Sequence, residues 1–294
     1  MTIAEILTIL NLVLKVSLVI FMVGNLFDMG LRLQLQEALT GLRDPRFVVS
    51  SLLWGFILLP ALAYLITVVV PLAPPYAMGL ILLGMTPCAP FLPPMVDRAR
   101  GDLGYAAAFM LLASVVTVAY MPFAVPLLVK GLSADAWTIA KPLLLFLLAP
   151  LAIGMAIQHY RAPLASVLHP WVKAATGIDT ILMLALCVVI YGKEFLKLGG
   201  TDAIGAQILF FSAATLGPYL LGFGLAQRQK SVLSLGMATR NLGAAFAPLF
   251  AARDVDQRAI VMVALGVLMQ ATFAFLAATY FGCRLEWGAT RSRP

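Results

Sequence analysis

Leu83–Asp102 reads LGMTPCAPFLPPMVDRARGD, and Leu235–Asp254 reads LGMATRNLGAAFAPLFAARD. Both open on Leu-Gly-Met, both interrupt an apolar run with Pro, Gly or polar residues, and both close on an Ala/Arg/Asp turn. In the first, Pro87, Pro90, Pro93 and Pro94 remove four backbone donors within eight residues and free the carbonyls one turn upstream. Hydrocarbon cannot satisfy such groups, so backbone of this kind survives only when buried in protein or beside a wet cavity. A single proline reads as a kinked packing helix. Four of them, matched by a polar break in the other half of the chain, read as the wall of a cavity.

The surroundings of both stretches are those of a membrane protein. The 294 residues are 62% hydrophobic with a mean hydropathy of +0.98, and only 11% are charged, against about 25% in a soluble domain. Apolar runs predict helices near 5–30, 46–70, 76–96, 103–129, 138–158, 168–191, 204–226, 231–251 and 257–282, about nine spans joined by short loops. The N-terminal run has no basic leader or small-residue cleavage site and reads as a first span that stays attached. The net charge of +7 is spread singly between apolar runs, which excludes a basic stripe for nucleic acid and points to the bilayer. Cys88, Cys187 and Cys283 lie far apart, and His159 and His169 fall in one predicted loop, so neither a disulfide framework nor a metal site follows. No phosphate loop, nucleophile elbow or zinc-protease motif occurs, and the chain is not read as an enzyme.

Odd-numbered loops and the C-terminal tail hold Arg32, Arg43, Arg46, Arg98, Arg100, Arg161, Lys173, Arg228, Lys230, Arg284, Arg291 and Arg293. The opposite side holds Lys130, Lys141, Lys193, Lys197, Arg253 and Arg258, leaving Lys15 and Arg240 inside spans. This bias places the N-terminus outside and the C-terminus in the cytoplasm of a bacterial inner membrane. The third and eighth spans are five crossings apart and so run in opposite directions. With Pro60 and Pro218 at matching places in the spans before them, they indicate two inverted repeats, a signature of secondary transporters.

The residues that carry these features resemble the bile acid:sodium symporter family over nearly the whole chain. FMVGNLFDMGLRL, the Pro-rich third span closing on ARGD, APLAIGM in the fifth and GMATRNLGAA in the eighth are the points of likeness. The resemblance implies one all-α, polytopic transporter domain over 1–294, with panel helices at about 5–30, 138–158 and 168–191. Core helices would fall at about 46–129 and 204–282, the third and eighth unwinding and crossing, with substrate bound between core and panel.

The departures from the family are equally informative. Where the family carries GGTASN and EVGMQN, with oxygens for two sodium ions, this chain has Leu92, Pro93 and Gly236, with Arg240 at an amide position. Ala106 and Met110 stand where hydroxyls are expected, Gly55 where a glutamine is, and only Asn241 survives. A hard cation needs several oxygen ligands, and these side chains offer none. Arg240 reads instead as a tethered cation in the place of the second sodium, grounding an anionic substrate. The competing reading pairs it with an internal acid.

Substrate-lining candidates are Arg240, Asn241, Thr239, Thr86, Cys88 and Pro90, with Asn25 as further polar lining. Asp28, Asp179 and Lys15 are candidates for proton carriage or ion pairing. The leading function is alternating-access transport of a small or amphipathic organic anion with altered or absent sodium coupling. A sodium-coupled symporter using backbone carbonyls, and a membrane sensor or channel-like pore, stand as alternatives. Gly222–Leu225 and Ala106–Ala108 read as close helix contacts, and Trp54, Trp137, Trp171 and Trp287 as span-end aromatics, with a deeper place open for Trp54. No cofactor is implied, and substrate identity, direction of transport and oligomeric state are open.

Overall fold

Asp44, Asp102 and Asp135 each stand just before a long apolar run, and each starts a helix by accepting hydrogen bonds from the first free backbone amides. The computed structural model describes residues 3–129, 132, 135–252 and 255–291. The expectations for Lys130, Arg253, Asp254 and Arg293, and for the side chains of Trp287 and Arg291, fall outside it. The described residues form twelve helices and no strand. These are α1 (Ile3–Arg32), α2 (Leu35–Gly41), α3 (Pro45–Val69), α4 (Pro74–Gly84), α5 (Leu92–Arg98), α6 (Leu103–Leu128), α7 (Ala136–Tyr160), α8 (Ala162–Lys197), α9 (Ala203–Leu220), α10 (Gln227–Ala238), α11 (Leu242–Ala251) and α12 (Gln257–Arg291).

Seven of them, α1, α3, α6, α7, α8, α9 and α12, are long and apolar enough to cross a membrane. The other two expected spans, the third and the eighth, are each two short helices, α4 with α5 and α10 with α11, separated by non-helical backbone. In α3 and α7 the proline is absorbed differently. Pro60 and Pro150 each follow a π-helical turn, Trp54–Leu58 and Leu144–Leu148, closed by wider hydrogen bonds from Leu59 N to the Trp54 carbonyl and from Ala149 N to the Leu144 carbonyl.

Several expectations need correction. His169 lies inside α8, which begins at Ala162, so the anticipated loop with both histidines shrinks to the turn at Arg161. Gly222–Leu225 is a turn and not a helix contact, with Phe223 and Gly224 at φ 45° and 79°. The short α2 falls where a plain loop was expected. Trp54 is buried at 7% exposure, whereas Trp137 and Trp171 stay exposed.

Small residues let the helices touch. Gly30 on α1 and Gly154 on α7 lie back to back: a Cβ on Gly30 would sit 2.4 Å from the Leu151 carbonyl oxygen. Gly41 approaches Ala108 in the same way, as the alanine run suggested. α1 packs along both α7 and α8, while α4 packs on α12 and α9 on α10. Asp44 ties three helices together. Its Oδ1 accepts from the amides of Arg46 and Phe47 at 3.0 and 3.3 Å, and its Oδ2 from Tyr105 Oη at 3.0 Å and Gln229 Nε2 at 2.8 Å.

Burial alone would push the Asp44 carboxyl up, but the hydrogen bonds from Tyr105, Phe47, Gln229 and Arg46 outweigh it and hold it below the usual carboxylate range. A carboxyl depressed in the folded state contributes stability above its unfolded value and loses it as pH falls through the folded value. Asp44→Ala is therefore expected to cost at least the cap's share, about 0.5–2 kcal/mol, read as a lower Tm in detergent. Asp44→Asn should keep part of the cap and flatten the Tm-against-pH profile below about pH 4.

Candidate functional site

The prolines of the third span dictate the geometry at its break. Pro87, Pro90, Pro93 and Pro94 cannot donate to the carbonyls four residues back, those of Leu83, Thr86, Ala89 and Pro90. Each of these carbonyls finds another donor. Leu83 accepts from Thr86 N and Oγ1 at 3.3 Å, and Ala89 from Leu92 N at 3.1 Å. Thr86 accepts from Asn241 N at 2.8 Å, across the gap from the other broken span. Pro90 accepts from Arg32 Nη2 on α1 at 3.4 Å.

The return contacts complete the crossing. Cys88 N donates to the carbonyls of Thr239 at 2.9 Å and Gly236 at 3.1 Å, and Ala89 N to Thr239 Oγ1 at 3.3 Å. Pro87 and Arg240 pair as an isolated antiparallel bridge. Cys88 holds φ 74°, an unusual angle for a residue with a side chain, kept in place by the two hydrogen bonds on its amide.

Arg240 follows the end of α10 and is fully buried. Its amide donates to Gln270 Oε1 at 2.6 Å, so it no longer serves the helix. Because Asn241 N has crossed to Thr86, the Met237 carbonyl has no helical donor, and Arg240 Nη2 takes that place. The guanidinium stands over the Phe210 ring, 5.1 Å from its centre. Its Nε and Nη1 have no acceptor, and no ion pair to an acidic residue forms among the described residues. A cation stripped of water in this way is costly unless something negative or polar joins it.

A cavity of about 290 Å³ lies against this crossing. Phe21, Met22, Asn25 and Leu26 of α1, Gly177 and Thr180 of α8, and Val267, Gln270 and Ala271 of α12 form three of its sides. Ala89–Phe91 and Arg240–Gly243 form the fourth. Of the six residues expected to line it, Pro90, Arg240 and Asn241 do so. Thr86, Cys88 and Thr239 sit behind the wall and serve the backbone. Asn241 also caps α11, its Oδ1 accepting from Ala244 N at 3.1 Å. Gln270 and Thr180 were missed, although each is a polar residue in an otherwise apolar stretch and was visible as such.

Of the positions that the resemblance matches to sodium ligands, Gly55, Leu92, Pro93, Ala106, Met110 and Gly236 carry no side-chain oxygen. A Cβ on Gly236 would fall 2.3 Å from the Phe109 ring, so an aromatic side chain fills the volume that a carboxylate there would need. Gly55 faces Pro87 and Met237, and Leu92, Ala106 and Met110 are buried apolar side chains. Pro93 and Met110 line a second cavity of about 200 Å³. Among the described residues no cluster of three or more His, Cys, Asp or Glu could hold a metal.

The remaining ionisable candidates separate. Asp28 Oδ2 accepts from Arg32 Nη2 at 2.7 Å and its Oδ1 lies 2.6 Å from His169 Nδ1, so its partners are neither Lys15 nor Arg240. Asp179 Oδ1 accepts from Ser17 Oγ at 2.8 Å, while its buried Oδ2 has no partner. Lys15 is exposed on α1 and is bonded to neither carboxylate.

The model of the Sodium Bile acid symporter family matches residues 19–198, more than half of the chain. The chain is 24% identical to the chloroplastic "Probable sodium/metabolite cotransporter BASS1" of Arabidopsis thaliana, covering 79% of this chain and 58% of that protein. It is 19% identical to the BASS3 protein of the same plant, over 88% of this chain and 61% of that one. It thus spans about three fifths of these two relatives. The "Uncharacterized sodium-dependent transporter YocS" of Bacillus subtilis is 26% identical, over 78% of this chain and 72% of its own. With its family signature running from α1 to the end of α8, this membrane protein belongs to the Sodium Bile acid symporter family.

Proposed function

We propose that the chain is a secondary transporter of a small organic anion, with Arg240 as a built-in cation in place of a recruited sodium ion. In this reading it crosses the membrane nine times as two inverted repeats, with the N-terminus outside. α1, α7 and α8 act as a panel that moves against the remaining helices. The observation that carries it is the buried Arg240 guanidinium, with two nitrogens lacking acceptors and no acid paired with it among the described residues, at the meeting of two broken spans.

The chemistry follows from that charge. With the site empty, the guanidinium is desolvated and only partly compensated by the Met237 carbonyl and the Phe210 face. An anion reaching it completes its hydrogen bonds, and an arginine stays charged at any accessible pH, so nothing has to be recruited from solution. The cavity holds about ten water volumes, at roughly 30 Å³ each, and most of its side chains are apolar. Both features favour a small monocarboxylate with an apolar body.

The relatives' printed names favour a second reading, in which sodium is kept and held by backbone carbonyls at the helix breaks. Uptake of small organic acids into proteoliposomes separates the two. Under the tethered-cation reading, uptake persists when potassium replaces sodium on both sides; strict dependence on a sodium gradient would overturn it. Arg240→Gln is expected to weaken anion binding by about 1.5–3 kcal/mol, roughly ten- to a hundredfold, seen as a loss of the anion-induced thermal shift. Gly236→Glu, which returns a carboxylate to the sodium position, should lower stability by about 1–3 kcal/mol through its clash with Phe109 and confer no sodium-dependent shift in Tm.

A further inference from the structure

Arg32 joins two regions that the sequence keeps apart. One stripe of α1 lines both cavities: Met22, Asn25 and Leu26 face the one at the crossing, and Met29 and Arg32 the second. The second shares Gln34, Glu37 and Leu103 with an open cleft of about 710 Å³ between α2 and the start of α6. The first two spaces therefore follow one another along α1, and the cleft adjoins the second beyond the end of that helix. Between the first two, the chain is bridged: Arg32 Nη2 binds Asp28 Oδ2 at 2.7 Å and the Pro90 carbonyl at 3.4 Å.

We propose that Arg32 is the gate on this path, closing the way between the crossing cavity and the α2 end of the protein until it lets go of Pro90. The proposal rests on the reading of the chain as a transporter. The two contacts of Arg32 are unequal, and the inequality determines where the bridge opens. Asp28 is held on both oxygens by short bonds from its own side, Arg32 on α1 and His169 on α8. The link to Pro90 is long, goes to a neutral carbonyl, and is the one that crosses to the broken span. Pro90 has that carbonyl to offer because residues three and four positions on are Pro93 and Pro94, and neither has an N–H.

Charge gives Arg32 a second duty. Among the described residues lining the second cavity Arg32 is the basic one, while Glu37 lines both that cavity and the cleft and Asp102 lines the cleft. Asp102 has its Oδ1 engaged by the amides of Gly104 and Tyr105. An anion on this route passes carboxylates, and Arg32, released from Pro90, is the counter-charge that makes the passage tolerable.

The test reads access and needs no substrate. In protein carrying Cys283→Ser to silence the exposed thiol, Asn25→Cys reports on the crossing cavity, and a charged, membrane-impermeant maleimide is applied to intact cells or to inverted vesicles. Arg32→Gln should raise the labelling rate at position 25 at least fivefold, from the α2 side only, while Arg46→Gln at an exposed site near the same end leaves it unchanged. If Arg32→Gln does not fold, Arg32→Lys, too short to hold Asp28 and Pro90 together, should give the same one-sided rise. Equal labelling with and without the Arg32 change, or a rise from both sides, overturns the gate. If labelling responds but no organic acid is transported, the gate stands and the transporter reading falls; if transport is established and labelling is indifferent, only the gate falls.

Discussion

A peptide carbonyl inside a bilayer has no water to turn to, and that constraint shapes the centre of this protein. Four prolines in eight residues leave four carbonyls without their helical donors, and the tertiary structure supplies a substitute for each. Two substitutes are local and cheap. The other two come from distant parts of the chain, Asn241 of the second broken span and Arg32 of α1, and they decide which elements meet. Leaving such a group unsatisfied costs several kcal/mol, so the crossing is held as firmly by what the prolines removed as by the contacts that replaced it.

The same bookkeeping explains Arg240. Once Asn241 N is committed to Thr86, the Met237 carbonyl is available, and a guanidinium on the adjacent backbone reaches it. A carbonyl at a helix break is the kind of oxygen that binds a metal cation, and here a covalently attached cation has it. Phe109 packs over Gly236 and leaves no room for a side chain there, so the surroundings of the break are apolar.

Around this centre the helices divide by what holds them. α1, α7 and α8 touch through close backbone approach at Gly30 and Gly154 and through the Asp28–His169 and Ser17–Asp179 contacts. α3, α6 and α10 meet at Asp44. Contacts from the first group to the breaks are sparser and longer, with Arg32 to Pro90 the polar example. Surfaces joined by few directional bonds can part without leaving many groups unpaired, as the proposed transport would require.

Much of this was legible in the residues alone. Hydropathy and charge declare a membrane protein, the Asp caps mark helix starts, and the two broken stretches are visible because proline and polar residues in an apolar run leave backbone that only a protein interior can satisfy. Arg240 stood out for the same reason, a charge where none is cheap. The partners were not legible. Nothing in the order of residues says that His169 reaches Asp28, that Arg32 lends a hydrogen to Pro90, or that Phe109 covers Gly236. Local chemistry decides which groups are left needing something, because that depends on the neighbours within a helical turn. Which group answers depends on how distant helices pack, and only the folded chain brings those surfaces together.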